Sequence, residues 1–171
     1  MEIHAYEKFW LAAALLLIVG FIATVSYGAV GAGVEMIDDD GGTVDPQALD
    51  EHPKFSDPGV YQSGPNEYDV YVVAQQFAFR PGTAEPIEVP ADSTVTFHVT
   101  SADVIHGFEV VGTNGNTMAI PGQVATFTVE VGGPKEYGIL CNEYCGSAHH
   151  AMEGTMNVVP QDEFNGTKGG A

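Results

Sequence analysis

The sequence predicts an all-β domain, a sandwich or barrel of short strands, behind one N-terminal helix long enough to cross a membrane. Three observations predict it. The chain carries no charge from Phe9 to Val34 and is dominated there by Leu, Ala, Ile, Val and Phe. Period-two alternation of β-branched and aromatic residues begins near Tyr68, with no helical period after residue 60. Glycine and proline interrupt that second part at short intervals, the pattern of many strands joined by turns.

The first element is the apolar run. Phe9 to Val30 is 22 residues, which at the helical rise reach roughly 33 Å, enough for the hydrocarbon layer. A removable signal has a shorter apolar core and a basic front, whereas this front carries Glu2, Glu7 and a lone Lys8. An uncleaved single-pass anchor is therefore expected, with Tyr6 and Trp10 at one interface. Lys8 faces an acidic far side in which Glu35, Asp38, Asp39, Asp40, Asp45, Asp50 and Glu51 precede the next base, Lys54. That asymmetry puts the N-terminus in the cytoplasm and the bulk of the chain outside the cell membrane. The expected organisation is a cytoplasmic segment 1–8, a transmembrane helix 9–30, an acidic Gly/Pro-rich linker 31–61, a β-domain 62–160 and a flexible tail 161–171.

Within the domain, Tyr68–Ala74, Thr94–Thr100 and Val124–Val131 alternate as half-buried strands, and an antiparallel arrangement is expected. His98 falls with Thr94, Thr96 and Thr100 on the polar face, so it reads as exposed. Met118 and Met156 read as core filler. Composition limits the partners. With 23 acidic and 5 basic residues the formal charge is −18, which opposes binding to nucleic acid or adsorption to anionic headgroups. Hydrophobic residues at 44% exclude a disordered chain. So acidic a surface suits a salt-rich medium, in which charges are screened within a few ångströms.

The chemistry lies in Cys141-Asn-Glu-Tyr-Cys-Gly-Ser-Ala-His-His-Ala-Met152. Two thiols four positions apart, then His149 and Met152, put soft sulfur and imidazole donors on one loop, a set that selects copper or zinc. His106, in Asp103-Val-Ile-His-Gly-Phe, is a remote donor that can complete it, with Asp103 as a carboxylate to orient the ring. The residues leave three sites open. One Cys, two His and Met make a mononuclear blue-copper centre with a thiol to spare; both thiolates can instead bridge two coppers; and a Cys141–Cys145 disulfide would make a non-redox exported domain.

The Cys-x3-Cys-x3-His-x2-Met pattern, with Asp103 to Phe108 upstream and a single N-terminal anchor, resembles subunit II of the heme-copper oxygen reductases over almost the whole chain. Ala5-Tyr-Glu-Lys and Asn142-Glu-Tyr-Cys resemble the B-type subgroup. The resemblance implies a cupredoxin Greek-key fold and a subunit where electrons enter a cytochrome c oxidase. They would come from a soluble or anchored cytochrome c or blue-copper donor and pass through a dinuclear CuA centre to heme in subunit I. It implies that Cys141 and Cys145 bridge two coppers, His106 and His149 bind one each, Met152 is a weak ligand and Glu143 offers its backbone carbonyl. In A-type relatives the carboxylate at the position of Glu143 also binds magnesium at the subunit I interface, which adds that ion to the candidate cofactors. The A-type electron-receiving tryptophan has no counterpart here, since Trp10 is the only tryptophan; Phe77, Phe79 or the edge of the copper loop stand in its place. In B-type relatives a glutamate of the N-terminal motif lies at the mouth of the proton path, which makes Glu7 a candidate. The competing reading is a stand-alone, membrane-anchored blue-copper carrier.

Overall fold

The computed structural model describes residues 4–28 and 41–168. Residues 1–3 of the expected cytoplasmic segment, 29–30 of the expected transmembrane helix, 31–40 of the expected linker and 169–171 of the expected tail lie outside the described residues. The chain divides into two compact units, Met1–Met36 and Ile37–Ala171.

The first unit holds helix α1, Ala5–Ser26. Its start is fixed by reciprocal capping: the Tyr6 N–H donates to His4 Nδ1 at 3.4 Å, and the His4 N–H donates to Glu7 Oε2 at 2.8 Å. Glu7 thus serves as the capping carboxylate at the helix entrance. No residue of α1 is buried, although nearly all are apolar. Ala5–Gly28 is long and apolar enough to cross a membrane.

The second unit is a two-sheet β-structure. Its strands are β1 (Gly59–Gly64), β2 (Glu67–Gln75), β3 (Ala78–Arg80), β4 (Ile87–Pro90), β5 (Ser93–Ser101), β6 (His106–Val110), β7 (Asn116–Ala119), β8 (Ala125–Val131), β9 (Lys135–Leu140) and β10 (Glu153–Val159). One sheet runs β1-β2-β5-β8 with β3 also on β2; the other runs β4-β10-β9-β6-β7. This is a mostly β, cupredoxin-like arrangement. The alternating residues drive it: Val70, Val72, Val95, Phe97, Val99, Phe127 and Val129 turn inward from the first sheet, and Ile87, Val89, Phe108, Ile139 and Met156 from the second. Each such Phe or Val, fully buried, contributes about 1.5–3 kcal/mol relative to exposure. At the centre Phe108 meets Phe79 edge-on at 5.2 Å and Phe97 stacks on Phe127 at 5.0 Å.

The structure differs from the sequence expectations at five points. The sheets are mixed rather than antiparallel, with β2 beside β5 and β4 beside β10 in parallel. After β3 the chain crosses to the other sheet as β4 and returns as β5, and so runs alongside β2 in the same direction. The segment read as linker is bound to the domain from residue 41: Thr43 bridges to Gln123, Leu49–Glu51 forms a 3-10 turn, and Phe55, 1% exposed, packs edge-on against Tyr71 at 5.3 Å. The described part of the tail is likewise docked. Phe164 meets Tyr68 at 5.5 Å, Thr167 bridges to Val60, and Lys168 pairs with Asp57. Finally, His98 is half-buried, stacked on Tyr71 at 4.5 Å, while Met118 is 46% exposed because β7 turns Thr117 and Ala119 inward instead.

Candidate metal centre

Two connections at one end of the sheets carry the predicted ligands. Strands β9 and β10 are paired through Leu140 and Glu153, and between them Cys141–Met152 makes an excursion closed by the Cys141 N–H donating to Met152 O at 3.2 Å. Gly146 turns this loop at φ 138°, a conformation that disfavours a side chain, and His149–Ala151 winds into a 3-10 turn. Strand β6 pairs with β9 through Glu109 and Leu140, and that register sets the start of β6, His106, beside the first residues of the loop.

The donor atoms converge. His106 Nδ1 lies 4.0 Å from Cys141 Sγ, the two sulfurs are 3.7 Å apart, His149 Nδ1 is 3.7 Å from Cys145 Sγ, and Met152 Sδ is 3.6 Å from the same sulfur. The Glu143 carbonyl oxygen is 3.2 Å from Cys141 Sγ. His106, Cys141 and Cys145 form the metal-capable cluster among the described residues, one ligand atom from each lying within 4.8 Å of the others. His106 is fully buried, Cys145 is 3% exposed and Met152 2%. Both cysteines are free thiols. Two donors, each about 2.0–2.3 Å from a shared ion, sit up to about 4.6 Å apart, so these separations fit metal ligation. The sulfur separation far exceeds the roughly 2.05 Å of a disulfide, so none is formed.

The electrostatics fit the same use. Burial, with the adjacent Cys141 as hydrogen-bond partner and like charge, pushes the Cys145 thiol up to about 11. A soft cation entering here must displace a proton, the usual coupling at thiolate sites. Behind His106, Asp103 Oδ1 accepts from Nε2 at 2.8 Å, leaving Nδ1 toward the sulfurs. Partial burial raises the Asp103 carboxyl, but hydrogen bonds from His106 and from the Gln76 and Val104 N–H groups outweigh it and hold the group below its ordinary range.

The expected residues are thus brought together, with differences at the margin. Phe79 is 1% exposed and belongs to the core, so it offers no surface to an electron donor. Phe77 is half-buried against the core and lies beside Gly146, where a Cβ would come within 3.1 Å of its ring. Glu143 and His150 are exposed, and Tyr144, 75% exposed, meets the His149 ring with centroids 5.8 Å apart. Sequence reasoning missed two residues. Asn142 Nδ2 donates to Glu109 Oε2 and Asn116 Oδ1, both at 3.1 Å, and its side chain fills the space over Gly107. Gln76, between β2 and β3, reaches both ligand-bearing connections. The one signal for the first pair was a glycine directly after a candidate ligand.

Comparison with known proteins agrees with this geometry. Residues 64–159 match the family model "Cytochrome C oxidase subunit II, periplasmic domain". A cytochrome c oxidase subunit 2 from Thermus thermophilus is 43% identical over 166 residues, covering 91% of this chain and 93% of the relative. A second from Thermus thermophilus is 46% identical over 117 residues, covering 67% of this chain and 84% of the relative. Among solved structures, a chain of a heme-copper terminal oxidase dimer determined by cryo-EM superposes with a TM-score of 0.70 at 32% identity, covering 90% of this chain and 99% of that one. With more than half of the residues matched by the family model, and a cysteine-histidine cluster at the end of a cupredoxin-like domain, this chain belongs to the cytochrome c oxidase subunit II family of the heme-copper oxidases.

Proposed function

We propose that this chain receives electrons for a heme-copper oxygen reductase, taking them from an external carrier at a dinuclear CuA centre and passing them to heme in subunit I. The observation that carries this reading is the paired arrangement of donors: two unoxidised thiols 3.7 Å apart, with an imidazole nitrogen beside each. Copper shared by two thiolates supplies one-electron redox chemistry. The residues then have distinct tasks. Cys141, Cys145, His106 and His149 would hold the copper, with Met152 Sδ and the Glu143 carbonyl oxygen as weaker donors beside them. Their burial among Phe108, Ile139 and Met156 keeps water from the sulfurs and limits movement between oxidation states.

The helix Ala5–Gly28 anchors the chain in the cell membrane, with segment 1–8 in the cytoplasm, 41–61 as a strap on the copper domain and 62–160 on the outer face. Phe77 and the exposed lip of the loop are where electrons enter, and Glu7 lies on the side from which protons are drawn. The single helix and the Asn142-Glu-Tyr-Cys motif support a B-type partner, and the exposed Glu143 carboxylate is free to hold magnesium at the subunit I interface. The acidic surface suits a salt-rich medium. Copper content and electron-spin spectrum of the detergent-solubilised chain test the reading. Two coppers per chain and a seven-line mixed-valence signal are expected, and both are lost in Cys145→Ser while the fold persists, because a hydroxyl is a poor copper ligand. One copper with an intense blue charge-transfer band would instead mean the mononuclear carrier.

A further inference from the structure

We infer that Gln76 is a positioning residue for the metal centre, fastening its two separate ligand-bearing connections to each other. Strands β2 and β3 are paired through Gln75 and Ala78, which leaves Gln76 and Phe77 as the two-residue tip of a hairpin. That tip is seated on the copper loop. A Cβ on Gly146 would come within 2.7 Å of Gln76 Nε2 and 3.1 Å of the Phe77 ring. From this seat Gln76 makes two hydrogen bonds to opposite sides of the centre. Its backbone N–H donates to Asp103 Oδ2 at 2.7 Å, and Asp103 Oδ1 accepts from His106 Nε2 at 2.8 Å. Its side-chain Nε2 donates to the backbone carbonyl of Cys145.

The consequence is geometric. His106 and Cys145 come from segments 39 positions apart in sequence, and their donor atoms must hold station within a few tenths of an ångström for a compact centre. The main-chain link sets the carboxylate that orients His106. The side-chain link pins the peptide of Cys145, and with it the direction of Sγ toward Cys141 and Met152. Gln76 is itself exposed and touches no ligand atom, so it acts only through Asp103 and Cys145. Groups one step removed from a metal typically change affinity 10- to 100-fold when lost.

This inference rests on the metal-centre reading above, and its test separates the two. In the full chain in detergent, Gln76→Met keeps the backbone N–H and the reach of the side chain but removes the donor to Cys145. Gln76→Lys restores a donor of similar reach, and Gln62→Met is a distant control on β1. Each is titrated with copper alone, and its electron-spin hyperfine pattern, reduction potential and metal-free unfolding are recorded. The expected result is a 10- to 100-fold weaker copper affinity and an altered hyperfine pattern in Gln76→Met, with both substantially recovered in Gln76→Lys and unchanged in Gln62→Met. Parental affinity and spectrum in Gln76→Met would overturn the inference. So would equal losses in the Met and Lys variants, or loss of cooperative unfolding in the metal-free Met variant, which would make Gln76 structural. If the parent chain itself takes up no copper, the metal-centre reading fails and this one with it.

Discussion

Replacing Asp103 by Asn tests how strongly the backing of His106 matters, because the change conserves shape and removes only charge and one acceptor. Three donors within 2.8 Å converge on the two carboxylate oxygens, and the Ser101 hydroxyl lies a longer 3.4 Å from Oδ1. His106 Nε2 and the Val104 N–H meet Oδ1 at 2.8 and 2.6 Å, and the Gln76 N–H meets Oδ2 at 2.7 Å. An asparagine has a single oxygen. If it takes the place of Oδ1, its NH2 faces the Gln76 N–H; turned the other way, it faces both His106 and Val104. The first arrangement costs less and still loses one hydrogen bond to a charged acceptor, about 1.5–3 kcal/mol. The carboxylate is 33% exposed, so water compensates in part and the lower end, about 1.5 kcal/mol, is expected. That corresponds to a fall of about 5 °C in the unfolding midpoint of the metal-free chain. The weaker hold on the imidazole lowers copper affinity about tenfold, the near edge of the usual range for such groups. Calorimetric unfolding and copper titration of the parent and variant measure both. An unchanged midpoint with unchanged copper affinity and reduction potential would reduce Asp103 to a turn residue.

Met152→Leu should keep both coppers, since volume is nearly conserved at a site 2% exposed, but shift the reduction potential measured by redox titration; complete loss of copper would make Met152 a holding ligand. Gly107→Ala should lower the unfolding midpoint by an amount equivalent to about 1–3 kcal/mol, because the new methyl overlaps the Asn142 side chain and lies 2.9 Å from Asn142 N; a parental midpoint would mean that the loop yields freely. Glu7→Gln should leave copper content intact and slow steady-state oxygen reduction by the assembled enzyme, since an amide releases no proton; unchanged turnover across pH would leave Glu7 its capping bond to His4 alone.

Strands β2, β5 and β8 were legible because each alternates along part of its length, as Val95, Phe97 and Val99 do, even though Val72–Ala74 and Val99–Ser101 are buried in succession. The parallel pairing of β2 with β5 was not, because alternation records which face is buried and carries nothing about direction. The strap was hidden for a different reason. It is held by scattered contacts, Phe55 and Leu49 in a small cluster with Val73 and Val124 and main-chain bonds at Gly42 and Val44, and scattered contacts leave no period. Met118 was misread because hydropathy alone put it inside, whereas Thr117 and Ala119 occupy the inward positions of that short strand. At the centre, the soft donors of Cys141–Met152 announced themselves by residue type, and Asp103 by its spacing from His106. Gln76 and Asn142 bear ordinary amides whose significance exists only once the loops meet.

The supply of ligands is lopsided, with one imidazole from the first residue of β6 and every other candidate donor within a stretch of twelve residues. An unfolded chain therefore still carries a compact soft-metal chelate, and copper held by it gives the folded state little thermodynamic advantage. What folding adds is His106 and a dry apolar wall. Any stabilisation that a bound metal confers on the domain is then set by what that ring and that wall add beyond the affinity of the loop alone.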